Sequence, residues 1–228
     1  MCSAAWRFRE GGYELAFNRD ESWTRPPSAD PSLEEGHPVP GACARDAAAG
    51  GTWLFTNQAG ITVAVMNAYP GEMTYPPGTR SRGELPLLAA SYQNPCLPES
   101  HLAGIAWEDY APCDLLLISP HGVRNFGWDG ATFRAYPKPT RNFLTTSSIR
   151  TTLVRQARLA RFNAISGLPV GKILDDSAAE DPAAAIFVTR EDGGTVSRTF
   201  VVVGPRTIQF AVTRRGETAR QIIFPRKS

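Results

Sequence analysis

Histidine and cysteine are scarce in this chain, with three and four among 228 residues, and neither is spaced to hold a metal. His37, His101 and His121 stand far apart, and Cys2, Cys43, Cys96 and Cys113 form no CxxC pair. A zinc ribbon and a disulfide scaffold are therefore excluded, and scattered free thiols fit a reducing, cytoplasmic setting. No metal or cofactor is expected. There is no apolar run of about 18 residues, so no membrane-spanning helix is expected. The first residues lack a basic-then-apolar leader, so secretion is not expected either. Charge of one sign is also missing: the net charge of +2 gives no electrostatic case for a nucleic-acid or membrane-surface partner. Neither a GxGxxG motif nor a βαβ alternation is present.

The hydrophobic fraction of 42% and the charged fraction of 20% are ordinary for a globular protein. The length suits one domain with a full core, taken as residues 1–228. Strand patterns recur at 2–8, 13–17, 50–55, 61–67, 114–119, 123–128, 132–136, 183–190, 195–203, 207–213 and 220–224. Helical patterns cover 84–92, with Pro86 in the first turn, and 151–165. Residues 22–47 and 69–81 read as long loops, of the kind that borders a site. Strands, helix, strands, helix, strands is the order of an α+β protein with antiparallel sheets, two of them packed between helices.

The feature carrying most chemistry is Met1-Cys2. Removal of Met1 before a small residue leaves Cys2 with a thiol and an α-amine, and an amine of ordinary pKa near ~7.7–8.0 can activate its own nucleophile. Arg9-Glu10-Gly11-Gly12 reads as a hairpin turn. An antiparallel register about it sets Cys2 opposite residue 19 or 20, within the run Asn18-Arg19-Asp20-Glu21. An arginine there is expected to lower the thiol pKa. Asp20 is expected to hold the amine or orient a substrate amide.

The ordered series Asn18-Arg19-Asp20-Glu21, Arg25-Pro26, Ala44-Arg45-Asp46, Gly50-Gly51-Thr52-Trp53-Leu54, Asn67 and Ser81-Arg82-Gly83 resembles the NRDE family, also called the transport and Golgi organisation 2 family. That family is similar to N-terminal-nucleophile hydrolases of the bile-salt-hydrolase and penicillin-acylase kind. The resemblance implies a four-layer αββα sandwich and a linear amide as substrate. By it Cys2 matches the nucleophile, Arg19 and Asp20 the pair after the first hairpin, and Asn67 the oxyanion-hole asparagine. Arg155 is the best match to a late active-site arginine, with Arg158 the runner-up. Asn18, Arg80, Arg82 and Arg158 are the candidate substrate-binding residues, the loop arginines suiting a carboxylate or phosphate.

The chain departs from the pattern in three places. The Arg19–Asp20 spacing is tighter than the hydrolases' Arg-x-x-Asp. Leu144-Thr145-Thr146 stands for their Leu-Thr-Asn, and Ala44 for the family's usual glycine. Eukaryotic relatives in the resembled family are linked to Golgi organisation, lipid metabolism and intracellular haem movement. This implies an alternative, a haem or lipid-related carrier on the same fold, with His37 or His121 as a possible axial ligand. Such a carrier needs an apolar pocket and no free Cys2 amine.

Overall fold

A computed structural model describes residues 2–70, 78–93 and 99–227. Met1, Cys96 and the middle of the expected 69–81 loop lie outside the described residues. The chain opens with a hairpin, β1 (Cys2–Arg9) and β2 (Gly12–Ser22). Gly11 at the turn has φ +68, a left-handed conformation that suits glycine. A side chain on Gly12 would strike the Val203 carbonyl oxygen. β2 runs further than the apolar pattern predicts, so Asn18 to Glu21 lies inside the strand. The register pairs Cys2 with Arg19 and Ser3 with Asn18.

Then come β3 (Ser32–Glu34), β4 (Gly41–Cys43), β5 (Leu54–Asn57) and β6 (Thr62–Asn67). The segment expected as one loop, 22–47, thus contains two short strands, which pair with each other at the edge of a sheet. A 3-10 helix covers Arg82–Ser91, and α1 spans Glu99–Ala103. Pro86, which gives no backbone N–H, falls inside the helix expected as regular. Four strands follow: β7 (Cys113–Ser119), β8 (Gly122–Trp128), β9 (Phe133–Tyr136) and β10 (Phe143–Thr146). After α2 (Thr151–Ile165) and α3 (Val170–Ile173), the chain closes with β11 (Gly193–Val203), β12 (Thr207–Arg214) and β13 (Arg220–Pro225).

One sheet has the order β10-β1-β2-β11-β12-β13, the other runs β3 to β9 in sequence, and every pairing is antiparallel. Between them lies a core that includes Trp6, Leu15, Phe17, Leu54, Met66 and Phe210. On the outer face of the first sheet Phe162 of α2 and Ile173 of α3 pack on Ala5 and Ala16. On the outer face of the second sheet Leu85 and Trp107 cover Val63 and Leu115. The result is the expected α+β sandwich of two antiparallel sheets, with a thin, partly 3-10 layer on one side. No described helix is long and apolar enough to cross a membrane.

The expected strand at 183–190 is not formed. Its apolar residues Ala183, Ile186 and Val188 are buried, but two of its carbonyls are taken by side chains. Ala183 O accepts from Arg158 at 2.8 Å, and Ile186 O accepts from Asn18 at 3.1 Å. The backbone there serves the neighbouring layer, and its ladder is reduced to a single bridge, Thr189 with Gly194.

Candidate active site

Strand alternation decides what each residue of the first hairpin can reach. Cys2, Arg19 and Glu21 point into a cavity of about 550 Å³, whose wall also includes Asp46, Asn67 and Arg82. Asn18 and Asp20 point the other way, toward the helices.

The Cys2 nitrogen donates to Thr146 Oγ1 at 3.2 Å. This is the position where the hydrolases' pattern has asparagine, and a hydroxyl there meets the nucleophile's own backbone. Burial pushes the Cys2 thiol up to about 11, against a hydrogen bond from the Asp20 backbone N–H that favours the thiolate. The expectation that Arg19 lowers the thiol pKa is therefore corrected: desolvation dominates.

Arg19 is committed elsewhere. Its guanidinium forms a buried ion pair with Asp46 and lies 4.9 Å from the centroid of the Trp53 ring. Asp46 also accepts from Arg25 Nε and Nη2, both at 2.9 Å, and from the Ala48 and Ala49 backbone at 3.1 and 2.9 Å. Burial raises its carboxyl, but the Arg25 hydrogen bonds, the Arg19 charge and the Ala49 N–H outweigh that and hold it below the usual range. Asp46 is thus the hub of this wall. It stands in the motif series, yet its role was not assigned from sequence, since a loop acid 27 residues from Arg19 shows no periodic relation to it.

Asp20 is fully buried and accepts from Thr195 Oγ1 at 2.7 Å. A bulge between Thr195 and Ser197 shifts the β11 register beside it, a device that re-aims side chains near sites. Arg158 Nη1 lies 3.9 Å from Asp20 Oδ2. The same nitrogen donates to Thr145 Oγ1 at 3.0 Å and Thr146 O at 3.2 Å. Burial raises the Asp20 carboxyl, opposed by Arg158, and burial lowers Arg158. Asp20 thus braces the floor beneath Cys2.

Of the two helix arginines, the structure puts the runner-up beneath the site. Val154, Arg158 and Phe162 form the buried stripe of α2, while Arg155 is exposed and borders a separate small pocket with Asp114 and Tyr136. The i, i+4, i+8 spacing of that stripe was the signal that distinguishes them. Asn18, expected to bind substrate, is buried on the helix face, where Nδ2 donates to Leu174 O and Ile186 O at 2.9 and 3.1 Å.

Asn67, at the end of β6, is half-buried, and its Nδ2 sits 3.4 Å from Tyr69 Oη. Arg80 is exposed and paired with Glu84. Arg82 Nη1 donates to Pro112 O at 2.9 Å. His37 packs edge-on against Phe55, and His121 is exposed; neither borders this cavity. Among the described residues no cluster of three metal-ligating side chains occurs.

The fold of two packed antiparallel sheets is similar to that of a solved bile acid hydrolase. The crystal structure of the C2A mutant of conjugated bile acid hydrolase from Clostridium perfringens superposes with a TM-score of 0.58 at 10% identity, covering 100% of this chain and 97% of that one. A Caenorhabditis elegans N-acylethanolamine-hydrolyzing acid amidase ortholog matches with a TM-score of 0.47 at 11% identity, over 88% of this chain and 92% of its own. Residues 1–106 match the model of the transport and Golgi organisation 2 family, so the segment carrying the motif series is a match to the family those motifs indicate. A comparison with curated proteins finds no match.

Proposed function

We propose that the protein is an N-terminal-cysteine amidohydrolase that cleaves a linear carbon–nitrogen amide through an acyl-enzyme on Cys2. The observation that carries this reading is the shared cavity of Cys2 and Asn67, on adjoining walls. A buried thiol is activated by a nearby base. Removal of Met1 turns the Cys2 nitrogen, held by Thr146, into an amine next to the sulfur. The amine takes the thiol proton as sulfur attacks the acyl carbon. The Asn67 amide donates to the developing oxyanion, an interaction worth about 2.7–4 kcal/mol in comparable sites. The C–N bond then breaks, the ammonium returns its proton to the leaving amine, and water hydrolyses the thioester. Arg19, locked to Asp46 and over Trp53, shapes the wall beside the thiol. Asp20, Thr195 and Arg158 keep β1 and β2 in register beneath it.

The carrier reading has one observation of its own. A groove of about 330 Å³ on the helix side of the first sheet is lined by Ala16, Leu174 and Phe200, with Lys172, Asp175 and Arg198 also on its wall. Apolar floor and charged wall suit an amphipathic, lipid-like ligand there, independent of Cys2.

The deciding experiment is intact mass after brief exposure to a thiol-directed acylating probe, beside a Cys2→Ala control. Met1 is expected to be absent, with one adduct that Cys2→Ala abolishes. Retained Met1, or labelling indifferent to Cys2, overturns the hydrolase reading and leaves the carrier.

A further inference from the structure

We infer that the cavity at Cys2 selects a substrate bearing an anionic group, a carboxylate or phosphate, which Arg82 receives. This rests on the hydrolase reading for the chemistry at Cys2, but the anion site itself is argued from the cavity wall.

Four arginines line the cavity, Arg19, Arg25, Arg80 and Arg82, against two carboxylates, Glu21 and Asp46. The cations are not equivalent. Arg19 and Arg25 share Asp46, and Arg80 is paired with Glu84. Among the described residues Arg82 has no carboxylate partner; its one hydrogen bond is to the neutral Pro112 carbonyl. That bond uses one nitrogen and leaves the rest of the five-donor fork available for an oxyanion.

Arg82 is also held in place. Thr52 N donates to Gly83 O at 2.8 Å. A Cβ on Gly51 would come within 2.7 Å of the Gly83 carbonyl carbon. Two glycines therefore let the Ser81-Arg82-Gly83 backbone press against the chain entering β5. Half-buried and anchored on two sides, Arg82 loses little freedom on binding, unlike a loose surface arginine. A cleft with an excess of one charge sign raises the local concentration of the opposite sign by roughly tenfold or more.

Iodoacetate and iodoacetamide test this, because they are nearly the same size and both alkylate a thiol by displacing iodide, while only iodoacetate is charged. The readout is the ratio of their rates at Cys2, followed by peptide mass and divided by the same ratio for a short Cys-Ser-Ala-Ala peptide. The normalised ratio is expected to favour iodoacetate roughly tenfold or more, to collapse toward one in Arg82→Gln, and to survive in Arg82→Lys. A wild-type ratio near one, with Cys2 still labelled, overturns the anion site and spares the nucleophile. A second measurement needs no reactive Cys2: melting of Cys2→Ala protein with glutarate, inorganic phosphate or neutral glutaramide. Stabilisation by glutarate or phosphate but not by glutaramide, lost when Arg82→Gln is added, supports the site even if Cys2 labels with neither reagent. Which anion acts separates carboxylate from phosphate. No anion-specific stabilisation overturns it.

Discussion

The two faces of the first hairpin carry the same kind of residue pair to opposite ends. On the inner face Arg19 meets Asp46 at the wall of an open cavity; on the outer face Asp20 meets Arg158 in a fully buried setting. One ion pair shapes the space that holds Cys2, while the other supports the strands that present it. A four-residue motif therefore need not be four site residues. Alternation along β2 turns Arg19 and Glu21 to the cavity, and Asn18 and Asp20 to the helix face.

The largest effect that tests this division comes from α2. Arg158→Met removes the guanidinium nearest the buried Asp20 carboxyl and its hydrogen bonds to Thr145 and Thr146, which costs about 3–5 kcal/mol, or roughly 6–20 °C in Tm. Arg155→Met, at an exposed position, stays within about 0.5 kcal/mol. Equal melting temperatures for the two variants break the comparison. Adding Asp20→Asn to Arg158→Met should recover part of the loss, because a buried charge that has lost one of its compensating cations is removed.

Asn18→Ala is the next in size. It strips the donor from two buried carbonyls, Leu174 O and Ile186 O, for a cost of about 1–3 kcal/mol. The rate of Cys2 alkylation should not follow. A variant of normal stability with altered Cys2 reactivity would return Asn18 to the substrate side.

How much of this was legible in sequence follows from the range of each interaction. The hairpin, the Cys2–Arg19 register and α2 are local, set by turn glycines and by periodicity, and were readable. So was the sandwich, from element order and the motif series. β10 was not assigned, because Phe143-Leu144-Thr145-Thr146 is short and acquires its role only by pairing with Cys2 to Ala5 across the chain. The segment 183–190 has strand-like composition, yet the arginine and asparagine that claim its carbonyls are distant in sequence. The choice between Arg155 and Arg158 was available: only Arg158 shares a stripe with Val154 and Phe162. The thiol pKa is not legible locally, because desolvation of a strand-held sulfur depends on packing from distant elements and outweighs a neighbouring arginine.

The smallest effect separates the two ion pairs by pH. Asp46 has a folded pKa below its ordinary value of 3.8. The folded state therefore binds fewer protons than the unfolded state near that pH. The stability Asp46 contributes is present above 3.8 and is lost as pH falls through the lower folded value. Asp20 has the opposite sign. Its folded pKa is raised, so its contribution is favourable in acid and declines as pH rises through the folded value. Asp46→Asn should cost about 1.5–3 kcal/mol at neutral pH, in the range of a hydrogen bond to a charged group. It should also flatten the fall in Tm on acidification below 3.8. If Asp46→Asn left the acid limb of the Tm profile unchanged, the Arg19–Asp46–Arg25 wall would not be the charged unit the geometry describes, and the inner face would have to be held by packing on Trp53 alone.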